Sequence, residues 1–429
     1  MRTASLALAV LLVSACAPKK MAGPLPPLPA PQGSYAPELA GNPCLLGATP
    51  VLVNYATDRE QVIKTGKDGK PVLTDNLGNA RFSGKRAFVQ AANSRPRNDR
   101  MSFGHAIVCI DPLHQSGDEK TVKLGLVGGP SARIDGPWSD KAPGETSDTS
   151  PAWINRLNAQ SSAGGGRVLI YVHGYNNTFE EALLRAARLK QDLGFAGPVI
   201  AFSWPSAGKS TAFLTDISNA FFGEAHLRKL LSLLPAESKN VAIIAHSLGN
   251  QVVSTMLAAT SAKADPASPF GRISEVIMAA PAVDSDYLRM TLGKAMTGNY
   301  PATRFTLYAS RRDRAMAAVR SYSGSSNAGD GDDMFYLPPV QTIDTSAIRN
   351  GLIGHSYFVD SPAVLADIKA IIDTHAQPAD AKRGLLKEAD NIWAFCEPVP
   401  EKPAKAKSPK PLLNVPLCPL APAPPAPAR

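Results

Sequence analysis

The sequence predicts an α/β fold, with a mostly parallel central sheet covered by helices on both faces. Strand-like apolar runs alternate with helix-like segments through the middle of the chain, the pattern of repeated strand–helix units. The central runs show no polar alternation, which is typical of strands buried on both faces. The predicted strands are residues 51–57, 106–110, 168–172, 199–204, 241–245, 275–280 and 304–310.

Helix signals fall between these runs. Thr178 and Glu181 have the spacing of a capping box, and Gly194 ends the amphipathic pattern that follows them. Ser361 before Pro362 predicts an N-cap with proline at the first helical position. Two intervals rich in Gly, Asp, Ser and Asn are predicted to be long loops, namely 58–102 and 314–350.

The N-terminal segment predicts export and a lipid anchor. An apolar stretch too short to span a membrane ends at Val13, and residues 13–16, VSAC, resemble the lipobox of bacterial lipoproteins. We expect residues 1–15 to be removed as a signal peptide and Cys16 to carry acyl chains, several of which together anchor stably. The protein would then lie on the periplasmic side of a bacterial membrane, with the outer membrane favoured. Ordinary cleavage after Ala17 is the alternative.

Composition divides the rest of the chain. Residues 16–43 are rich in proline and are predicted to form a tether, and residues 378–429 a partly disordered tail rich in Pro, Ala and Lys. Between them, residues 44–377 are expected to form one domain. Within that domain, residues 205–225 are predicted to form a cap or lid.

Charge and spacing exclude several classes of function. The net charge is +9, but no stripe of basic residues is interleaved with aromatic residues, so we expect no nucleic-acid partner. No Cys or His cluster has metal-ligand spacing, and we expect neither a metal nor a cofactor. The C-terminal tail contains four lysines, Lys402, Lys405, Lys407 and Lys410. They are expected to keep the tail solvated or to attract an envelope partner.

The cysteines suit a compartment that permits disulfides. The chain has five, and setting Cys16 aside leaves Cys44, Cys109, Cys396 and Cys418. Four cysteines allow three connectivities, among which sequence does not choose. A buried free thiol is the alternative for Cys109, which lies within the apolar run AIVCI.

A candidate nucleophile lies in VAIIAHSLGN, residues 241–250. An apolar strand ends abruptly at Ser247, and a helix pattern follows, as in the GxSxG turn that exposes a serine at the carboxyl edge of a sheet. Ala245 occupies the first glycine position. Because the helix packs close to the strand there, the position requires a small residue, and alanine adds only one methyl group.

Partners for Ser247 follow in the order nucleophile, acid, histidine. Asp313 comes directly after the strand RFTLYAS, and His355 lies just before the last amphipathic helix. His355 would take the serine proton and Asp313 would orient the imidazole. Asp284 and Asp286 are alternative acids after the preceding strand. A surface ion pair with the neighbouring arginines is the non-catalytic alternative for Asp313.

An oxyanion hole needs two backbone donors. We expect one to be the N–H of Leu248, at the start of its helix, and the other to come from HGYNN, residues 173–177, with Tyr175 the best candidate. Packing is the alternative role for the Tyr175 side chain. His246 is expected to point away from the site, and His226 to lie on an exposed helical face.

Five segments together resemble a known family. VLIYVHGYNNTFEEA, FSWPSAG, IIAHSLGN, AAPAVD and YASRRDRA look like an uncharacterised, esterase-like family of bacterial α/β-hydrolases, and the likeness extends over about residues 50–375, including NYATDR and FGHAIVCIDPLH. The resemblance implies an α/β-hydrolase fold. It also implies that alanine at position 245 is usual, because the turn at the serine commonly reads AHSxG in this family. One departure is Ala282, where the family pattern APDVD has aspartate.

These observations predict a serine hydrolase of carboxylesterase type. It would act on small acyl-ester or lipid-like substrates at the cell envelope, through Ser247, His355, Asp313 and an acyl-enzyme. The alternative is a non-catalytic envelope lipoprotein that uses the same fold as a binding module.

Overall fold

The structure is a computed structural model, and the residues it describes are 44, 48–59, 64–65, 71–72, 97–111, 133–138, 151–260, 268–296, 300, 302–348 and 354–396. The predicted signal peptide, the lipid-attachment residue Cys16, the tether 16–43, Cys418 and the tail beyond residue 396 lie outside these ranges.

Strands and helices alternate through most of the described chain. The strands are β1 (Thr49–Arg59), β2 (Lys64–Thr65), β3 (Pro71–Val72), β4 (Arg97–Ile110), β5 (Arg133–Trp138), β6 (Arg167–Val172), β7 (Val199–Ser203), β8 (Asn240–His246), β9 (Ile273–Ala279), β10 (Arg304–Ala309), β11 (Gln341–Asp344), β12 (Leu385–Ala389) and β13 (Ile392–Phe395). The helices are α1 (Pro151–Ala163), α2 (Phe179–Asp192), α3 (Phe213–Leu233), α4 (Gly249–Ala259), α5 (Ser285–Met296), α6 (Arg314–Ser323), α7 (Tyr357–Asp360) and α8 (Pro362–Thr374).

One sheet contains all of these strands except β2 and β3, which pair with each other. Its order is β12-β13-β11-β10-β9-β8-β6-β7-β1-β4-β5. The strands from β13 to β1 run parallel, and antiparallel pairs occur only towards the edges, at β12–β13, β1–β4 and β4–β5. Each of the seven predicted apolar runs forms a strand of this sheet, so the predicted fold class is confirmed.

The sheet is buried on both faces, as the continuous apolar runs predicted. In β6, Val168 and Ile170 belong to one hydrophobic cluster, whereas Leu169 and Tyr171 belong to the other. Helices α3, α4 and α5 contribute to the first cluster, and α2 and α8 to the second. Burial of apolar surface on both faces stabilises the sheet, at about 25 cal/mol per Å² removed from water.

The predicted helix starts are also confirmed. The backbone N–H of Thr178 donates to Glu181 Oε2 (2.7 Å), and the N–H of Glu181 donates to Thr178 Oγ1 (3.1 Å), which is a complete capping box before α2. Ser361 caps α8, accepting from the N–H of Val364 at 3.4 Å. These contacts satisfy helix donors that would otherwise have no partner in the first turn.

The two predicted long loops contain regular structure. β4 begins within the first interval, and α6 and β11 lie in the second. The sequence of β11, QTID, has only one large apolar residue, so the strand forms because β10 and β13 flank it in the sheet. Tertiary pairing outweighs weak local propensity at such short strands.

The predicted domain boundary at residue 377 is too early. β12 and β13 extend the sheet to Phe395, and a buried ion pair ties this segment to the core. Arg383 donates to both carboxylate oxygens of Asp367 (2.6 and 2.9 Å), and the hydroxyl of Tyr308 donates to Asp367 Oδ2 at 2.6 Å. The partners satisfy one another, which is the condition under which buried charges are tolerated.

A disulfide joins Cys44 to Cys109, across 65 residues of sequence. The alternative of a buried free thiol at Cys109 is therefore wrong. Cys396 is disulfide-bonded as well. None of the described helices combines the length and the apolar character needed to cross a membrane.

The predicted lid comprises the loop after β7 and the first half of α3. The helix packs closely at Gly223, where an added Cβ would lie 3.2 Å from Cβ of Trp204 and 3.7 Å from Val252. Leu214 and Phe221, on the outer side, are 67% and 46% exposed. The helical part of the segment is thus packed on the core and carries two exposed apolar side chains, and its movement as a lid stays a prediction.

Candidate active site

Ser247 lies in a sharp turn between β8 and α4. Its φ angle is +51°, a left-handed conformation that costs energy in a residue other than glycine. The turn is held by backbone and side-chain bonds: the N–H of Ser247 donates to Ala279 O (2.9 Å), and Asn250 Nδ2 donates to Ala245 O (3.2 Å) and Ser247 O (3.0 Å). Backbone strain retained in this way is characteristic of functional sites.

Close packing explains which positions near Ser247 must be small. A Cβ on Gly249 would lie 2.4 Å from His173 O, and a Cβ on Gly174 would lie 2.8 Å from Cβ of Ser247. Neither position can accept a side chain without movement of backbone. Ala245, in contrast, is fully buried with its methyl group inside the core. The position two residues before the serine therefore accommodates alanine, whereas the position two residues after it requires glycine.

The structure brings His355 and Asp313 together. His355 Nδ1 lies 2.7 Å from Asp313 Oδ2. The other carboxylate oxygen, Oδ1, accepts from the N–H groups of Ala315 (3.0 Å) and Met316 (3.1 Å) and so caps α6. The Asp313 side chain is fully buried, and that of His355 is 18% exposed. Asp313 is thus fixed in position, and it leaves Nε2 of the imidazole free to react.

The alternative acids form other contacts. Asp284 Oδ1 accepts from the N–H groups of Asp286 and Tyr287, both at 3.0 Å, and so caps α5. The hydrogen bond from the N–H of Tyr287 is the main cause that lowers the pKa of Asp284. Asp286 binds Arg289, and its side chain is 94% exposed. Among the described contacts of these two aspartates, none is with a histidine.

The two arginines that precede Asp313 bind other groups. Arg311 binds Asp344 (2.6 Å), and Arg312 Nε donates to Ser346 O (2.6 Å). Since Asp313 is buried, the alternative of a surface ion pair at this position is wrong.

His246 lies beside His355, contrary to the prediction that it points away. Its Nε2 is 3.1 Å from His355 O, and the two imidazole rings are 4.8 Å apart. Burial holds the pKa of His246 well below its usual value, so the ring is neutral and Nε2 carries a proton that it donates to the carbonyl. Because His246 precedes Ser247 in the chain, this contact joins the nucleophile turn to the segment that carries His355.

His226 also differs from the prediction. It is largely buried, with a side chain 12% exposed, and its Nδ1 lies 3.1 Å from the buried carboxylate of Asp58. The helix face predicted to be exposed therefore packs on the end of β1.

The candidate oxyanion loop follows β6. The backbone N–H of Asn176 donates to Asp216 Oδ2 (3.2 Å), and that of Asn177 donates to a serine hydroxyl (3.1 Å). The N–H groups of Tyr175 and Leu248 donate to no acceptor in the described part of the chain. Two backbone donors thus remain uncommitted, one in this loop and one at the start of α4, as an oxyanion hole requires.

The Tyr175 side chain packs against the start of α3. Its ring meets Phe213 edge-on at 5.2 Å, and its hydroxyl donates to Lys209 O (3.3 Å). Burial, with a smaller contribution from the charge of Asp216, raises the pKa of Tyr175 to about 12. The phenol therefore stays protonated at neutral pH and serves to pack the loop against the predicted lid.

Arg59 is a residue of the site that the sequence analysis missed. Its guanidinium is fully buried and donates to Ser203, Ser206 and Asn177, so it reaches the candidate oxyanion loop from the end of β1. One sequence signal could have identified Arg59, namely a charged residue at the end of a buried strand, in NYATDR. Its hydrogen bonds span 114 to 147 residues, a separation at which local patterns carry no information.

The described residues contain no group of three or more His, Cys, Asp or Glu side chains able to hold a metal ion. The chemistry that these residues offer is a hydroxyl, an imidazole–carboxylate pair and two backbone donors. Acyl transfer through a serine requires these groups: a nucleophile, a base with its orienting acid, and donors to the oxyanion.

Residues 147–373 match the model of a protein family described as alpha/beta hydrolase of unknown function (DUF900). The match extends over more than half of the chain. The chain belongs to this α/β-hydrolase family. The matched range includes Ser247, Asp313 and His355, whereas Arg59 precedes it. No curated protein matches the chain.

Solved esterase structures resemble this α/β hydrolase at low identity. A Pyrobaculum calidifontis esterase is 12% identical with a TM-score of 0.29, and the match covers 49% of this chain and 76% of that chain. A Pyrococcus furiosus esterase is 15% identical with a TM-score of 0.24, covering 42% and 73%. The apo form of Thermogutta terrifontis esterase 2 is 12% identical with a TM-score of 0.26, covering 50% and 87%.

Proposed function

We propose that this α/β hydrolase is a serine hydrolase that cleaves carboxylic esters through Ser247, His355 and Asp313. The observation that carries the proposal is the 2.7 Å contact between His355 and the buried carboxylate of Asp313. The contact of His246, the residue before Ser247, with the backbone carbonyl of His355 supports the assignment of this pair to the same site as Ser247. A pair of this kind, in which a buried carboxylate orients a histidine, is the arrangement that activates a serine hydroxyl in nucleophilic catalysis.

In the proposed reaction, Ser247 Oγ attacks the acyl carbon while His355 Nε2 accepts the hydroxyl proton. The carbonyl oxygen becomes an oxyanion, which the N–H groups of Leu248 and Tyr175 stabilise. Collapse breaks the ester bond, and His355 gives its proton to the leaving alcohol. Water then attacks the acyl-enzyme with His355 as the base, which releases the acid and restores Ser247.

Asp313 supports both proton transfers. Its Oδ2 accepts a hydrogen bond from the N–H of His355 Nδ1, which selects the tautomer with a free Nε2 and stabilises the imidazolium that forms during attack. The two backbone donors on Oδ1 hold the carboxylate in its orientation.

The proposal extends to location and partners. We place the enzyme at the cell envelope, anchored through acyl chains on Cys16, where it would meet small acyl-ester or lipid-like substrates. The lipobox-like residues 13–16 support this location, and the lysines of the C-terminal tail support an additional contact with an envelope partner.

A fluorophosphonate probe tests the reaction class. Such probes form a covalent adduct with an activated serine, so the folded full-length protein is expected to be labelled, and peptide mass spectrometry should find the adduct on Ser247. Heat-denatured protein is the control, because it retains the serine but loses the alignment of His355. Absence of an adduct on folded protein that also fails to hydrolyse p-nitrophenyl acetate or butyrate would refute the proposed function.

Location is tested separately in cells. The wild-type protein is expected to incorporate labelled palmitate and to remain in the membrane fraction, and Cys16→Ser should lose both properties because the thiol is the acyl acceptor. Equal incorporation of palmitate by the two proteins would contradict the anchor at Cys16.

A further inference from the structure

Arg59 occupies a position at which one guanidinium binds three acceptors in two segments that are distant from it in the chain. Its Nε donates to Ser203 Oγ (2.9 Å) at the end of β7, and Nη1 donates to Ser206 O (2.7 Å) in the following loop. Its Nη2 donates to Asn177 O (2.9 Å) in the loop after β6. The side chain is fully buried, so water does not compete for these acceptors.

The same guanidinium also faces the first residue of the oxyanion loop. Nη2 lies 3.3 Å from Nε2 of His173, whose ring stacks on Trp204 with centroids 4.9 Å apart. Burial, and then the charge of Arg59, lowers the pKa of His173 to about 3, so the ring is neutral. Arg59 therefore contacts both ends of the loop, at His173 and at Asn177.

We propose that Arg59 is the positioning residue of the oxyanion loop: it holds residues 173–177 so that the N–H of Tyr175 faces the acyl oxygen on Ser247. This inference rests on the proposed function and adds a residue that lies outside the family match. Because an oxyanion donor must be placed within a few tenths of an ångström, a small shift of the loop lowers the rate of chemistry more than it weakens substrate binding.

The nature of the partners argues against a purely structural role. Among the described residues, the hydrogen-bond partners of Arg59 are carbonyls, a hydroxyl and an imidazole, with no bonded carboxylate. Desolvation of the buried cation lowers its pKa to about 10, although nearby carboxylates, Asp58 foremost, act in the opposite direction. A cation buried in this way is an inefficient means of stabilising a fold. Its planar fork nevertheless meets three acceptors in three directions, a geometry that lysine does not reproduce.

Variants of two buried arginines separate positioning from stability. Arg59→Met and Arg59→Lys are compared with Arg383→Met, which removes a buried guanidinium that binds Asp367 away from the oxyanion loop. We expect both Arg59 variants to lower kcat on p-nitrophenyl butyrate by about 10- to 100-fold, with KM within about threefold of wild type, and to slow fluorophosphonate labelling in parallel. Arg383→Met should lower the thermal midpoint but leave kcat unchanged.

The possible results distinguish failure of the positioning role of Arg59 from failure of the proposed function. Wild-type kcat in folded Arg59→Met, or full recovery of kcat by Arg59→Lys, would overturn the positioning role while leaving the proposed function intact. A wild-type protein that does not react at all refutes the proposed function instead. Should neither Arg59 variant fold, Ser203→Ala removes the acceptor of Nε, together with the 3.4 Å contact of that hydroxyl with His173 Nε2, and is expected to lower kcat about threefold. An unchanged kcat in that folded variant would count against the inference.

Discussion

Ser247→Ala is expected to lower kcat for ester hydrolysis by about 10⁶-fold and to abolish fluorophosphonate labelling. The reason is that the nucleophile is lost while the oxyanion donors and His355 remain, and these alone give little acceleration. Alanine keeps the Cβ that contacts the loop at Gly174, so the positive φ at residue 247 and the packing of the turn are retained. Steady-state kinetics and thermal unfolding of the purified variant measure both effects.

Ser232→Ala is the matched control, since Ser232 is exposed on α3 and bonds only to the carbonyl of Lys229 among the described residues. It should behave as wild type. A Ser247→Ala variant that keeps its activity would exclude Ser247 as the nucleophile. An inactive wild-type protein, whose Ser247→Ala variant is also unaltered in cells, would favour the binding-module alternative.

Asp313→Asn is expected to lower kcat by about 10⁴-fold in a protein that remains folded. The asparagine Oδ1 can still cap α6, as the carboxylate does through Ala315 and Met316. Its Nδ2 is a donor, however, and cannot accept a hydrogen bond from the N–H of His355 Nδ1. The imidazole then adopts the other tautomer, in which Nε2 carries a proton and is unable to act as the base. Kinetics with p-nitrophenyl butyrate and far-UV circular dichroism give the two readouts.

Asp284→Asn provides the control that distinguishes the two candidate acids. Asparagine can likewise cap α5 at this position, and the structure shows no contact of Asp284 with a histidine among the described residues. We expect its kcat to remain within about threefold of wild type. A larger loss in Asp284→Asn than in Asp313→Asn would reassign the acid.

The strands and the main helix starts could be predicted because their signals are local. A continuous apolar run such as residues 241–245 specifies a strand buried on both faces, and Thr178 with Glu181 specifies a helix start within four residues of sequence. β11 and β13 could not be predicted in this way. They are four residues each and form because neighbouring strands supply their hydrogen-bond partners.

The candidate site likewise contains residues that local sequence could identify and residues that it could not. Ser247 was recognisable because a strand, a serine and a helix follow one another within ten residues. The acid was not, since strands β9 and β10 both end at the same edge of the sheet and each is followed by an aspartate. Only their tertiary contacts distinguish the two aspartates. Asp313 contacts His355, whereas Asp284 caps the helix that follows it.

The sequence by itself determined the α/β order of the elements and the turn at Ser247, because each depends on residues close together in the chain. It also showed a serine, candidate acids and a histidine in that order, but it did not choose among the acids. The tertiary structure alone decided that Asp313 faces His355, that His246 contacts the histidine segment, and that Arg59 binds the loop after β6. Those contacts join residues from 42 to 147 positions apart. They exist because parallel strands bring their carboxyl ends to one edge, where side chains from distant segments meet in a buried site.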